Sequence, residues 1–179
     1  MPEGTIIKTE YLELTFKIID QKNITKKIAE DFIDSLRKQG KVTIPTVAKI
    51  QSCLKVSLCY LDDVLIGISA LKTKSSSDFN NSKADLPNLE SKFVWELGYM
   101  YVDKNYRSYG ISLAMTRLLL KQVQDENIMA STELFAENAM MFILRKFGFE
   151  QYGKPWPSVK HDGTLGLFLK FKNGKPNEK

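Results

Sequence analysis

Residues 55–61 (KVSLCYL) and 64–72 (VLIGISALK) are two apolar, β-branched-rich runs joined through Asp62-Asp63, and this pair constrains the fold more than any other feature. Aspartate tolerates turn backbone, so the segment reads as a β-hairpin. A hairpin needs further strands, and the chain offers them on both sides. Residues 11–19 (YLELTFKII) are apolar and partly alternating, which predicts a strand. Residues 92–102 (KFVWELGYMYV) predict a long one, and residues 128–135, 149–152 and 164–171 predict three more.

Helical patterns separate these runs. After Asn23, the run ITKKIAEDFIDSLRKQG places Ile24, Ile28, Phe32 and Leu36 four apart on one helical face, and Gly40 supplies a left-handed stop. TVAKIQSCLK is a weaker, short helix candidate. GISLAMTRLLLKQVQDEN would turn Ile111, Met115, Leu118, Leu119 and Val123 to the core, and residues 139–147 form another helix. Residues 72–91 (KTKSSSDFNNSKADLPNLES) are the one long polar loop, of a length that is often functional or mobile. The order β-α-(α)-β-β-β-α-β-α-β-β, without internal repeats, predicts a mixed α/β (α+β) fold in one domain over residues 1–172, with a polar tail at 173–179.

Charge narrows the function classes. The 179 residues carry a net charge of +5, but residues 1–144 hold 18 basic and 18 acidic side chains and are neutral. The excess lies in residues 145–179, much of it at Lys170, Lys172, Lys175 and Lys179 near a polar end. A protein that tracks a nucleic-acid backbone concentrates its basic residues on one face, so the excess reads as a solvated tail and no nucleic-acid partner is expected. Cys53 and Cys59 sit in apolar surroundings without a second pair, and His161 lies in a polar loop. Neither a disulfide framework nor a metal site is expected. With no signal-like N-terminus and no apolar run of ~20 residues, the sequence reads as a cytoplasmic protein without a membrane partner.

The chemistry is concentrated at residues 102–112. A strand ends at Val102, a short loop turns, and a helix begins near Gly110. Ser108, Gly110 and Ser112 are small enough to let a ligand approach the main chain, and Arg107 adds a fixed positive charge. The free N–H groups of a helix start receive phosphate oxygens, so this segment predicts a phosphate site. It lacks the Gly-Lys-Ser/Thr ending of the P-loop and has a single glycine where the dinucleotide fingerprint needs three.

The segment Arg107-Ser108-Tyr109-Gly110-Ile111-Ser112 resembles the pyrophosphate loop of the GNAT superfamily of acetyl-CoA-dependent N-acyltransferases, Arg/Gln-x-x-Gly-x-Gly/Ala. The strand WELGYMYV before it and the helix-to-strand run AMMFILRKFGF after it are similar to that superfamily in order and spacing. Three positions depart from its pattern. The loop ends in Ser112, the position that often holds a cofactor-touching Asn is Glu137 with Asn138 one step later, and the slot that often holds a tyrosine acid is Leu144.

The resemblance implies a mostly antiparallel sheet of six to seven strands flanked by helices and splayed between the fourth and fifth strands, with the pantetheine arm of acetyl-CoA in the gap. Main-chain groups of Met100, Tyr101 and Val102 would pair with that arm. Arg107, Ser108, Tyr109, Gly110, Ile111, Ser112 and Leu113 would hold the pyrophosphate, and Asn138 would add a contact. A bulge near Tyr99–Met100 would aim an N–H at the thioester oxygen. Glu96 is the candidate base for the acceptor amine, and strict alternation puts it on a face with Val94, Met100 and Val102. Tyr152 is a candidate acid for the departing thiolate. Tyr99, Tyr101 and water are alternatives, although Phe93, Trp95, Tyr99 and Tyr101 also read as a packing stripe on the other face. Trp156 would border the acceptor pocket or pin its loop.

On this reading the chain moves an acetyl group to an amine by direct attack in a ternary complex. The acceptor is open between a protein N-terminus, a lysine, a polyamine, an amino acid and an antibiotic, and a homodimer is compatible with the resemblance. The rival reading is a non-catalytic member of the same fold that binds acyl-CoA as a sensor or interaction module.

Overall fold

The structure, a computed structural model, describes residues 4–8, 12–40, 42–159 and 162–174. Tyr11, His161, Lys175 and Lys179, which figured in the sequence reading, lie outside the described residues.

Among the described residues eight strands pair in the order β1-β2-β3-β4-β5-β6-β8-β7; β5 and β6 run parallel, and the ladders β1–β2, β2–β3, β3–β4, β6–β8 and β7–β8 are antiparallel. Their bounds are β1 Thr5–Lys8, β2 Glu13–Asp20, β3 Lys55–Leu61, β4 Val64–Thr73, β5 Trp95–Val102, β6 Ile128–Glu133, β7 Glu150–Pro157 and β8 Thr164–Lys170. The helices are α1 Lys26–Gln39, α2 Val47–Gln51, α3 Ile111–Leu120 and α4 Ala139–Lys146. One more strand is present than expected: β1, whose four residues pair with β2 and come from a segment too short and polar to show alternation.

The chain divides into two compact units, Met1–Lys72 with Gly98–Gln122, and Thr73–Leu97 with Val123–Lys179. In the first, the hairpin expected around Asp62-Asp63 forms, with Asp62 at φ 51° in its turn. Thr25 begins α1 by accepting the Ile28 N–H on its hydroxyl at 3.2 Å, and Gly40, at φ 72°, ends it by donating its N–H to the Leu36 carbonyl. A cap of this kind contributes about 1 kcal/mol. The helix buries Ala29, Phe32, Ile33 and Leu36 against Ile19, Val56, Leu58, Ile68 and Ala70. Its acidic residues Glu30, Asp31 and Asp34 pair with Lys26, Lys27 and Arg37, which makes this the solvated face. A second cluster joins Ile111 and Met115 of α3 to Leu14, Phe16, Cys59 and Ile66. The α3 pattern breaks earlier than expected: the helix stops at Leu120, although Val123 beyond it is buried.

In the second unit, β8 lies between β6 and β7. Residues 72–91 are more ordered than their polarity suggests. They fold into 3-10 turns at Ser76–Phe79 and Pro87–Lys92, and Phe79 and Ala84 enter a core with Phe93, Met129, Trp156, Leu167 and Leu169. Two apolar residues among polar ones thus attach the segment to this core. Lys154 donates its N–H to the Ala84 carbonyl at 2.9 Å, beside Gly153 at φ 69°. Trp156 is buried in this core.

Candidate active site

Strand β5 carries Glu96 near its start and Met100, Tyr101 and Val102 at its end. The end belongs to the first unit. There Tyr99 stands at φ 55°, a left-handed conformation inside a strand. The turn is held by the Tyr99 ring, which packs edge-on to Phe32 at 6.1 Å and lies 5.5 Å from the Lys72 ammonium. Tyr99 and Tyr101 join the α1 core, while Met100 and Val102 join the α3 core. Burial and the nearby Asp103 raise the Tyr101 hydroxyl above its ordinary pKa.

Gln39, the last residue of α1, donates from Nε2 to the Met100 carbonyl at 2.7 Å, while its Oε1 is buried without a hydrogen-bond partner among the described residues. The Met100 oxygen needs a donor, so the amide orientation is fixed and the unpaired atom is an acceptor. Sequence reasoning missed this residue. The contact spans 61 positions, and nothing in the α1 pattern marks its terminal glutamine.

The loop after β5 is set from both ends. The Asp103 N–H binds the Ile66 carbonyl at 2.8 Å, and its carboxylate accepts the Asn105 N–H at 3.0 Å. Ser108 and Gly110 then take φ 71° and 74°, a course that leads straight into α3 with no side chain capping its first turn. Arg107, Ser108, Tyr109 and Gly110 are exposed, and a Cβ on Gly110 would meet nothing within 4 Å. The N–H groups of Ile111, Ser112 and Leu113 thus head an uncapped helix next to open space and an arginine. The helix end carries about half a positive charge. Its depth is set by Gly67 of β4, where a Cβ would lie 3.1 Å from Ile111 Cγ2 and 3.3 Å from Met115 Cε.

The other candidates lie in the second unit. Glu96 is 5% exposed, and its Oε2 accepts the Ser75 N–H at 2.8 Å. The shared apolar face expected of it is corrected in part: Val94, two residues earlier, is 50% exposed and precedes the strand. Phe93 likewise packs with Phe79 and Phe171 in the core of this unit, so the stripe read from alternation does not extend along one face. Tyr152 stacks edge-on to Phe171 at 5.6 Å, and burial, with the charge of Glu150, raises its hydroxyl above the ordinary value. Asn138 is the N-cap of α4. Its Oδ1 accepts the Met140 N–H at 2.9 Å, and its Nδ2 donates to Thr132 Oγ1 at 3.1 Å and to the Glu133 carbonyl. Leu144 is fully buried. Among the described residues no group of three His, Cys, Asp or Glu is placed to hold a metal, and no helix is long and apolar enough to cross a membrane.

This architecture is the fold of the GNAT acetyltransferases. Naa50 of Arabidopsis thaliana, solved with the bisubstrate analogue CoA-Ac-MVNAL, matches with a TM-score of 0.63 at 16% identity over 87% of this chain and 97% of that one. Escherichia coli ElaA matches with a TM-score of 0.63 at 7% identity, covering 87% and 98% of the two chains. YncA of Salmonella typhimurium, solved with its cofactor acetyl-CoA, matches with a TM-score of 0.55 at 14% identity over 89% and 94%. No family model matches the chain and no curated protein matches its sequence.

Proposed function

We propose that the chain is an N-acetyltransferase that moves the acetyl group of acetyl-CoA to an amine by direct attack. The observation that carries this reading is the uncapped start of α3 behind left-handed Ser108 and Gly110, with Arg107 beside it. That arrangement presents successive N–H donors and a guanidinium, which suits a pyrophosphate. It fits acetyl-CoA further because the buried Gln39 Oε1, next to the Met100 main chain, is an acceptor suited to an amide N–H such as pantetheine carries. The solved YncA with acetyl-CoA and Naa50 with a CoA-linked analogue have the same fold.

In the proposed reaction Arg107 and the N–H groups of residues 108–113 hold the pyrophosphate, and main-chain groups of Met100, Tyr101 and Val102 line the pantetheine arm. Glu96 takes the proton of the attacking amine, directly or through water. The nitrogen adds to the thioester carbonyl, and the Met100 N–H, turned by Tyr99, stabilises the oxygen as it becomes negative. Collapse breaks the carbon–sulfur bond, leaving an amide and a CoA thiolate. Tyr152 or water supplies the thiolate proton, because Leu144 has none to give. Asn138, at the N-cap of α4, adds a contact to the cofactor. The acceptor class includes peptide N-termini, in keeping with the peptide portion of the Naa50 analogue. The protein is proposed to act in the cytoplasm.

Thermal-shift titration with acetyl-CoA, CoA, NAD and ATP tests the first half of this reading. A ligand at ~100 times its Kd adds ~2.7 kcal/mol of stability. Acetyl-CoA and CoA alone should raise Tm, less so in Gly110→Asp, and no response to either would overturn the proposal. The buried Leu144 favours a second reading, a non-catalytic acyl-CoA sensor. Turnover of acetyl-CoA with a peptide amine, abolished in Glu96→Gln, decides against it.

A further inference from the structure

The excursion between β4 and β5 is closed by one side chain. Lys74, directly after β4, sends its ammonium to the Glu90 carbonyl at 2.7 Å, the Phe93 carbonyl at 2.6 Å and the Glu90 carboxylate at 2.6 Å. Its own N–H binds the Val94 carbonyl at 3.0 Å. The lysine therefore joins the outgoing chain to the returning chain immediately before Glu96. It is 14% exposed, so these bonds are made largely out of water and are worth more than those of a surface pair. Glu90 responds in kind: the Lys74 hydrogen bond, followed by that of Ser76, holds its carboxyl below the ordinary range.

The next residue completes the arrangement. Ser75 points its N–H at Glu96 Oε2, 2.8 Å away. A backbone N–H on one carboxylate oxygen fixes the plane of the group, and the direction of that N–H depends on where the chain is held on either side of it. One side is the end of β4 and the other is the 3-10 turn at Ser76–Phe79, whose Phe79 is buried against Phe93 at 5.6 Å. We propose that Lys74 is a positioning residue for the reaction: by tying Glu90 and Phe93 to the end of β4 it holds the Ser75 N–H on Glu96 and so orients the base. The proposal rests on Glu96 acting as the base. A lysine whose task ends at its own ion pair would need neither main-chain carbonyl, and both are bound.

The test is spectroscopic. In the 179-residue protein labelled with 15N, the Ser75 amide proton should be displaced downfield by its bond to the Glu96 carboxylate, and this displacement should vanish in Glu96→Gln. Lys74→Met should abolish the displacement while leaving the amides of α1 and α3 unshifted, and Lys74→Arg, which keeps the charge and several donors, should retain part of it. Ser75→Pro provides a second route if Lys74→Met fails to fold. Ser75 sits at φ −85°, close to what proline adopts, and proline lacks the N–H. That variant should lose acetyl transfer while its Tm response to acetyl-CoA persists. A Ser75 amide that keeps the full Glu96 displacement in Lys74→Met would overturn the positioning role. Undiminished transfer by Glu96→Gln would instead overturn the base assignment, and the amide displacement would still be readable.

Discussion

Gly153 lies so close to Ala84 that a Cβ on the glycine would stand 2.0 Å from the alanine carbonyl oxygen. The obstacle is backbone, which cannot swing aside, and Gly153 also holds φ 69°. Gly153→Ala should destabilise the protein by about 3 kcal/mol, combining ~1–2 for left-handed backbone and 1–3 for overpacking. Gly40→Ala, at φ 72° with nothing within 4 Å, should cost only about 1 kcal/mol and serves as the control. Urea unfolding of the two variants checks the difference.

Gly67→Val presses on α3 from below. The added Cβ would meet Ile111 at 3.1 Å, Cys59 at 3.2 Å and Met115 at 3.3 Å, so the helix has to shift outward by a few tenths of an ångström. The cost in stability should be about 1–3 kcal/mol. Because Ile111 opens α3, the acetyl-CoA affinity should also fall, by about 10-fold if ~1.4 kcal/mol of the strain is felt only in the complex. Isothermal titration calorimetry reads this separately from Tm.

Asn138→Ala removes the α4 cap and both bonds that tie it to Thr132 and Glu133. The expected loss is about 1–2 kcal/mol. Asn138→Asp keeps the acceptor for Met140 but not the two donations, and should fall between wild type and alanine in a denaturant midpoint.

Burial pushes the Cys53 thiol from 9.0 up to about 11 and the Cys59 thiol from 9.0 up to about 12. Both remain protonated in the fold while the unfolded chain ionises, so the stability they contribute is complete below pH ~9 and is lost as pH rises towards 11–12. The slope is about 1.4 kcal/mol per pH unit for each thiol. Urea midpoints at pH 8 and pH 10 should differ accordingly, and Cys53→Ala with Cys59→Ala should remove most of that difference. Alkylation of the folded protein at pH 8 should be slow for the same reason.

Where the pattern repeats over several residues, the sequence was informative. The hairpin at Asp62-Asp63, the α1 face through Phe32 and Leu36, and the loop from Val102 to Gly110 followed from local chemistry. The rest depended on partners remote in the chain. Ser75 meets Glu96 across 21 positions, Gln39 meets Met100 across 61, and Ala84 meets Gly153 through main chain alone, where side-chain identity carries no signal. Alternation also failed locally at Val94, because the strand begins at Trp95, two residues later than its apolar run. Strand β1 was invisible because four residues offer too short a period to read.

Position 99 answers to two requirements that pull apart. Its backbone, at φ 55°, is one that glycine adopts at no cost and tyrosine only at about 1–3 kcal/mol. Its ring meanwhile fills the space between Phe32 and the Lys72 ammonium, which glycine would leave empty. In the proposed reaction, therefore, the main chain of the residue serves turnover and its ring serves stability. A substitution that relaxes the main chain there removes the packing that keeps it turned, so gains in one trait come at the expense of the other.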